Sequence, residues 1–126
     1  MTRHVRDERG SVSIVLVALL GAVLVSAMGT ADVGTALSAA ARAHDAADAA
    51  ALAVATEMAM PTGRAPEDVA AEYAARNRAT IASCSCDPSR FEAVVSVRVF
   101  VGRLLLFPDD LSVEATARAV VVLPAS

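Results

Sequence analysis

Several residue types that usually build a globular core or a charged surface are scarce in this chain. Its 126 residues include no tryptophan and no lysine, and aromatic residues make up only 3%. Hydrophobic residues reach 56%, but the commonest of them is alanine, which buries little area. The chain is therefore expected to form one small domain at most, marginally stable without a partner or a membrane.

Motifs that carry catalysis or nucleic-acid binding are also missing from the sequence. The net charge is −3, and no basic patch is interleaved with aromatic residues, so nucleic-acid binding is not expected. There is no G-x-S-x-G motif, no phosphate-binding glycine loop and no H-E-x-x-H motif. The sequence therefore predicts a protein that is not an enzyme, with no cofactor and no small-molecule substrate.

Cysteine is limited to two residues, Cys84 and Cys86. A structural metal site usually needs about four ligands, and no cluster of further cysteines or histidines completes one, so no metal is expected. In an oxidising compartment the pair could form a disulfide that closes a tight ring. The alternative is two free thiols on one face of a strand, and the sequence leaves both open.

The chain does contain one long uncharged segment, residues 10–31, with the sequence GSVSIVLVALLGAVLVSAMGTA. About 20 apolar residues in a helix are enough to cross a bilayer. Three arginines precede the segment and Asp32 follows it, so the N-terminus is predicted to be cytoplasmic and the remainder extracytoplasmic. The predicted segments are a cytoplasmic leader (1–10), a transmembrane helix (11–31), its helical extension (32–60) and a small extracytoplasmic domain (61–126).

Small residues recur at every fourth position along this helix. In a membrane helix, such a row lets a second helix approach closely. An alanine-rich helix also shows small residues on every face by chance, so the row is either a helix-packing surface or a consequence of composition. The row consists of Ala18, Ala22, Ser26, Thr30 and Gly34.

The extension beyond Asp32 is rich in alanine, the best helix former, and is predicted to stay helical up to Pro61. On a helical projection its large apolar residues fall on one side, away from Arg42 and Glu57, and predict its apolar face. These residues are Val33, Leu37, Leu52 and Met58.

The pattern changes in the second half of the chain. Proline and two acids at residues 66–68 predict a second helix that runs to about residue 80. Alternating apolar residues predict strands over 91–101 and 112–123, with a short strand before them at 79–84. The fold class is therefore α+β, with an antiparallel sheet of two to three strands that the second helix is expected to cover.

An apolar cluster lies between the two long strands, from Leu104 to Phe107. It would be a contact surface if exposed and core if the preceding strand runs longer. We expect core.

Two segments of the chain resemble a known family. The sequence DERGS at residues 7–11, followed by the uncharged helix and by RAHDAADAAAL at 42–52, resembles the TadE-like pseudopilins of the tight-adherence (Tad, type IV-like) pilus system. The small group found beside actinobacterial Tad genes is the most similar. Two downstream segments, ARN at 75–77 and ATARA at 115–119, are also similar to that group.

This resemblance implies a structural role and a processing step. In prepilins a membrane peptidase cuts after a glycine that follows a short charged leader. In this chain that glycine would be Gly10, and Ser11 would become the new N-terminus. The helix would then leave the lipid and join a helical bundle. The implied partners are the membrane, the prepilin peptidase and other pilin-like or Tad assembly proteins.

One departure from the family pattern refines the implied role. Main pilins carry Glu at the fifth mature position, where it neutralises the N-terminal amine, whereas this chain has Val15. The resemblance therefore implies either a minor or priming pseudopilin, in the cell membrane, at the cell surface or in a pilus, or an accessory protein that is never cut.

Two other interpretations of the apolar segment remain. It could be a secretory signal peptide cut after residues 29–31, whose small side chains suit such a site. It could also anchor an uncleaved single-pass adaptor or sensor.

Overall fold

The computed structural model describes residues 9–124 of the chain. In chain order it contains helix α1 (Arg9–Ala59), helix α2 (Pro66–Arg76) and the strands β1 (Thr80–Asp87), β2 (Glu92–Phe100) and β3 (Ser112–Val120). The predicted α+β class, with two helices and a small antiparallel sheet, is confirmed. Residues 1–8 of the predicted leader lie outside the described residues.

Helix α1 runs without interruption for 51 residues, or about 76 Å at the usual helical rise. It ends where predicted, because Pro61 lacks an N–H and Gly63 adopts a φ of 91°. The Glu57 carboxylate closes this end by accepting hydrogen bonds from the backbone N–H and the hydroxyl of Thr62, at 2.6 and 2.8 Å. These bonds favour the ionised form and lower the pKa of Glu57.

Helix α2 is shorter than predicted and β1 is longer. The helix ends at Arg76 rather than near residue 80, because Asn77 caps it and Arg78 takes a left-handed φ of 56°. The chain therefore enters β1 directly, and the strand extends to Asp87 instead of stopping at Cys84. As a result, both cysteines lie within the strand.

The sheet has the order β1-β2-β3, and both pairings are antiparallel. In its centre, Val95 of β2 lies opposite Cys84 of β1 and Ala117 of β3. The predicted alternation in β2 is confirmed, since Ala93, Val95, Val97 and Val99 are no more than 2% exposed.

Helix α1, rather than α2, provides most of the cover for this sheet. The second half of α1 packs on β2 and β3, whereas α2 packs on α1 and on β1 at the edge. The expectation that the second helix covers the sheet is therefore wrong. Because α1 has 51 residues and α2 only 11, α1 is long enough to cover the sheet with its second half while its first half extends beyond the domain.

The predicted apolar face of the α1 extension is also wrong in most of its members. Val33, Leu37 and Leu52 are 58–66% exposed, and only Met58 is buried. Alanines take the buried positions because small side chains let the helix lie close to the strands and to α2. The core residues that α1 contributes are Ala39, Ala43, Ala46, Ala47, Ala50, Ala51, Val54, Ala55 and Met58.

Because the buried alanines of α1 pack closely on the strands and on α2, we expect a larger side chain at one of these positions to destabilise the domain. We expect Ala46→Leu, at a fully buried position, to lower the free energy of unfolding by about 1–3 kcal/mol. Ala41→Leu is the matched control, because Ala41 lies on the same helix but is exposed. Urea unfolding of the full chain in detergent, followed by circular dichroism, measures the difference, and equal stability of the two variants would contradict the packing.

Candidate functional site

The most unusual surface of the protein is the first half of α1, residues 12–31, which we call the apolar half of α1. Its large side chains between Val12 and Met28 are 40–72% exposed. Among the described residues, α1 is the one helix long and apolar enough to cross a membrane, and none of its most apolar 18-residue window is buried. A contiguous apolar surface of this extent marks a membrane or partner contact.

The row of small residues runs along this surface and ends just beyond it at Gly34, and all five of its members are exposed. The hydroxyl of Ser26 donates to the carbonyl of Ala22 and that of Thr30 to Ala27, both at 2.8 Å, so neither needs a partner in another molecule. Because a step of four residues overshoots one turn by about 40°, the row winds gradually around the helix. Whether it packs against another helix stays a prediction.

At the outer end of the apolar half, one carboxylate binds a distant loop. Asp32 is 3% exposed, and its two oxygens accept hydrogen bonds from the backbone N–H groups of Leu105 and Leu106, at 2.7 and 2.8 Å. These residues belong to the connection between β2 and β3, residues 101–111, which we call the β2–β3 loop. The N–H of Val101 donates to the carbonyl of Leu111 at 2.9 Å and closes the base of the loop.

The β2–β3 loop is held with its apolar side chains outward. Leu105, Leu106 and Phe107 are 48–63% exposed, and only Leu104 is half-buried against the core. The expectation that this cluster is core is therefore wrong, and the alternative of an exposed surface holds. The reason is that β2 ends at Phe100 and Gly102, with a φ of 95°, turns the chain out of the sheet.

The tip of the loop lies beside α1, within the apolar half. A Cβ atom at Gly29 would be 3.9 Å from Cδ1 of Leu106, an ordinary van der Waals distance, so the Leu106 side chain lies next to the helix at this turn. A shallow groove of about 460 Å³ separates the loop tip from the helix. It is lined by Ser26, Gly29, Thr30, Val33, Leu106 and Phe107.

Sequence reasoning missed the role of Asp32, which it treated only as the end of the apolar segment. Its partners lie 73 and 74 positions away, so no local motif marks the contact. The one available signal is that no arginine lies within four positions of Asp32, which leaves the carboxylate without a local partner.

The other predicted site residues are placed as follows. Gly10 and Ser11 lie in the first turn of α1, and a Cβ atom at Gly10 would meet no atom within 4 Å. The sulfur atoms of Cys84 and Cys86 lie together on one face of β1. Cleavage after Gly10 remains a prediction, and a disulfide between the two cysteines remains one of the two alternatives that the sequence leaves open. Within residues 9–124, no group of three or more potential metal ligands comes together.

Comparison with known proteins concerns α1 alone. Residues 10–57 match a family model described as "Putative Flp pilus-assembly TadE/G-like". No curated protein and no solved structure matches the chain. The matched residues lie entirely within α1 and include no residue of α2 or of the sheet. Helix α1 is thus similar to the TadE/G-like proteins of Flp pilus assembly, a family that is structural rather than catalytic in general.

The contact between Asp32 and the loop gives a prediction that proteolysis can test. Asp32→Ala leaves two loop N–H groups without their acceptor and is expected to destabilise the closed loop by about 2 kcal/mol. Trypsin should then cut after Arg103, which is exposed at the start of the loop, faster than in the wild type.

The control for this experiment is Asp45→Ala, which removes an exposed acid of the same helix. It should leave the cleavage rate at Arg103 unchanged. Equal cleavage of the wild type and Asp32→Ala would show that the carboxylate does not hold the loop.

Proposed function

We propose that the protein is a pseudopilin-like minor structural component of a pilus or secretion assembly, anchored by α1 and packed through it. The observation that carries the proposal is that the family match falls on the helix whose apolar half is exposed. The small α+β domain at the other end of this helix would be displayed on the extracytoplasmic side.

The length of the uncharged segment supports an anchoring role. Its 22 residues (10–31) span about 33 Å as a helix, close to the hydrocarbon thickness of a bilayer. Three arginines before it favour a cytoplasmic N-terminus. In this proposal, a leader of residues 1–10 stays inside, residues 11–31 cross the membrane, and the rest lies outside with the helical extension of 32–60 inside the domain.

Assembly would follow removal of the leader by the prepilin peptidase between Gly10 and Ser11. The helix would then pack against helices of other pilin-like or Tad assembly proteins, with its row of small residues at the contact. Val15 stands at the fifth position of the processed chain, where it cannot neutralise the new N-terminal amine. This favours a minor or priming subunit over the bulk subunit of a filament.

Determination of the mature N-terminus tests the proposed processing. We expect protein purified from cells that contain the prepilin peptidase to begin at Ser11. A start at Asp32 would indicate a secreted protein with a cleaved signal peptide, and an uncut chain would indicate a single-pass adaptor or sensor. Gly10→Val should block cleavage, whereas Gly21→Val, at a glycine inside the span, should not.

The packing role of the row is tested by added bulk at positions away from the loop. We expect Ala18→Leu combined with Ala22→Leu to weaken association with itself or with Tad proteins, because the larger side chains hold the helices apart. Ala27→Leu is the control, since Ala27 projects about 140° away from Ala22 around the helix. Cross-linking in membranes measures association, and an unchanged yield in the double variant would contradict the proposal.

A further inference from the structure

The exposed side chains of the β2–β3 loop lie at one level of the helix axis, next to the last turns of the apolar half of α1. Leu106 and Phe107 line a groove with α1 residues from Ser26, six positions before Asp32, to Val33, one position after it. At helical rise this groove extends to about 9 Å on the membrane side of Asp32. Amphipathic elements that lie in a bilayer interface reach a similar depth, about 5–10 Å.

From this juxtaposition we infer that residues 105–107 insert into the lipid surface where α1 leaves the bilayer, and hold the small domain against the outer leaflet. The inference rests on the proposed membrane anchoring of α1. It assigns to the loop a lipid-binding role that is separate from assembly of the helix.

The hydrogen bonds of Asp32 support lipid as the occupant of this surface. Backbone N–H groups that enter an apolar medium must find a partner within the protein. The N–H groups of Leu105 and Leu106 do so on the two oxygens of Asp32, while their side chains stay outside. The same contact buries the carboxylate, so neither the loop amides nor the acid would face the hydrocarbon unpaired.

Continuity of the apolar surface is the second argument for lipid. Leu106 and Phe107 extend the exposed surface formed by the large side chains of residues 12–28, without a charged residue between them in the groove. Because this surface adjoins the outer end of the proposed membrane span, the nearest apolar medium available to cover it is the lipid around the helix.

The charges of the loop indicate how it would bind. Arg103 lies before the apolar tip, and Asp109 and Asp110 lie after it, all of them exposed. The loop therefore carries a net negative charge, and its insertion depends on apolar burial rather than on attraction to anionic headgroups. Vesicles of neutral phosphatidylcholine are expected to be sufficient.

The absence of tryptophan provides a direct test, because a single introduced tryptophan reports its own depth. We would place Phe107→Trp in the full chain, reconstituted in phosphatidylcholine vesicles whose acyl chains are brominated either near the headgroup or near the terminal methyl. We expect a shift of emission to shorter wavelength and a loss of intensity that is greater with bromine near the headgroup.

Two further variants define the depth scale. Leu19→Trp lies in the middle of the proposed span and should lose more intensity with bromine near the terminal methyl. Val122→Trp lies beyond β3, at the end of the sheet far from the loop, where Val122 is 84% exposed. It should keep its intensity with both lipids. Adding Asp32→Ala to the Phe107→Trp variant should reduce the loss, because the released loop no longer stays at the helix.

The outcomes separate the loop inference from the proposed function. If the tryptophan at position 107 is not quenched while that at position 19 is, α1 is anchored but the loop does not enter lipid, which overturns the inference. A blue-shifted but unquenched signal at position 107 would mean that protein, such as a second copy of the chain, covers the loop, which also overturns it. If position 19 is unquenched, the proposed anchoring fails and the inference fails with it.

Discussion

The structure depends on one constraint, which is that a single unbroken helix has to suit two different surroundings. Toward its N-terminus α1 carries large apolar side chains on all sides, and toward its C-terminus it buries alanines against the sheet. Since backbone hydrogen bonding continues through the junction near Asp32, the domain is fixed to whatever holds the apolar half. The position of the apolar half thus determines where the domain lies.

The junction between the two surroundings is formed by Asp32. A carboxylate at the end of an apolar segment would ordinarily turn to water, but here two backbone N–H groups of the β2–β3 loop satisfy it while it is buried. The contact keeps three apolar side chains of the loop on the outside, Leu105, Leu106 and Phe107, and together they form a patch of the kind that marks a contact surface. The acid therefore shapes a surface and does not simply end a segment.

The elements of the fold could largely be predicted from local pattern, whereas their arrangement could not. Alternation in residues 91–101 identified the buried face of β2, and Pro61 identified the end of α1. The buried face of the α1 extension was assigned wrongly because Val33 and Leu37 outrank alanine in hydrophobicity. What decides burial there is how near the helix must approach the strands and α2, and that distance is a property of the assembled domain.

By itself, the sequence determined that residues 10–31 form an uncharged segment long enough for a bilayer, and that a helix and alternating strands follow it. These features depend on composition and on spacing within a few residues, so no distant partner is needed to recognise them. Only the tertiary structure decided that α1 covers the sheet and that Asp32 receives the loop from more than 70 positions away. A hydrogen bond between residues so far apart exists only once β2 and β3 have packed on α1 and brought the loop to the helix.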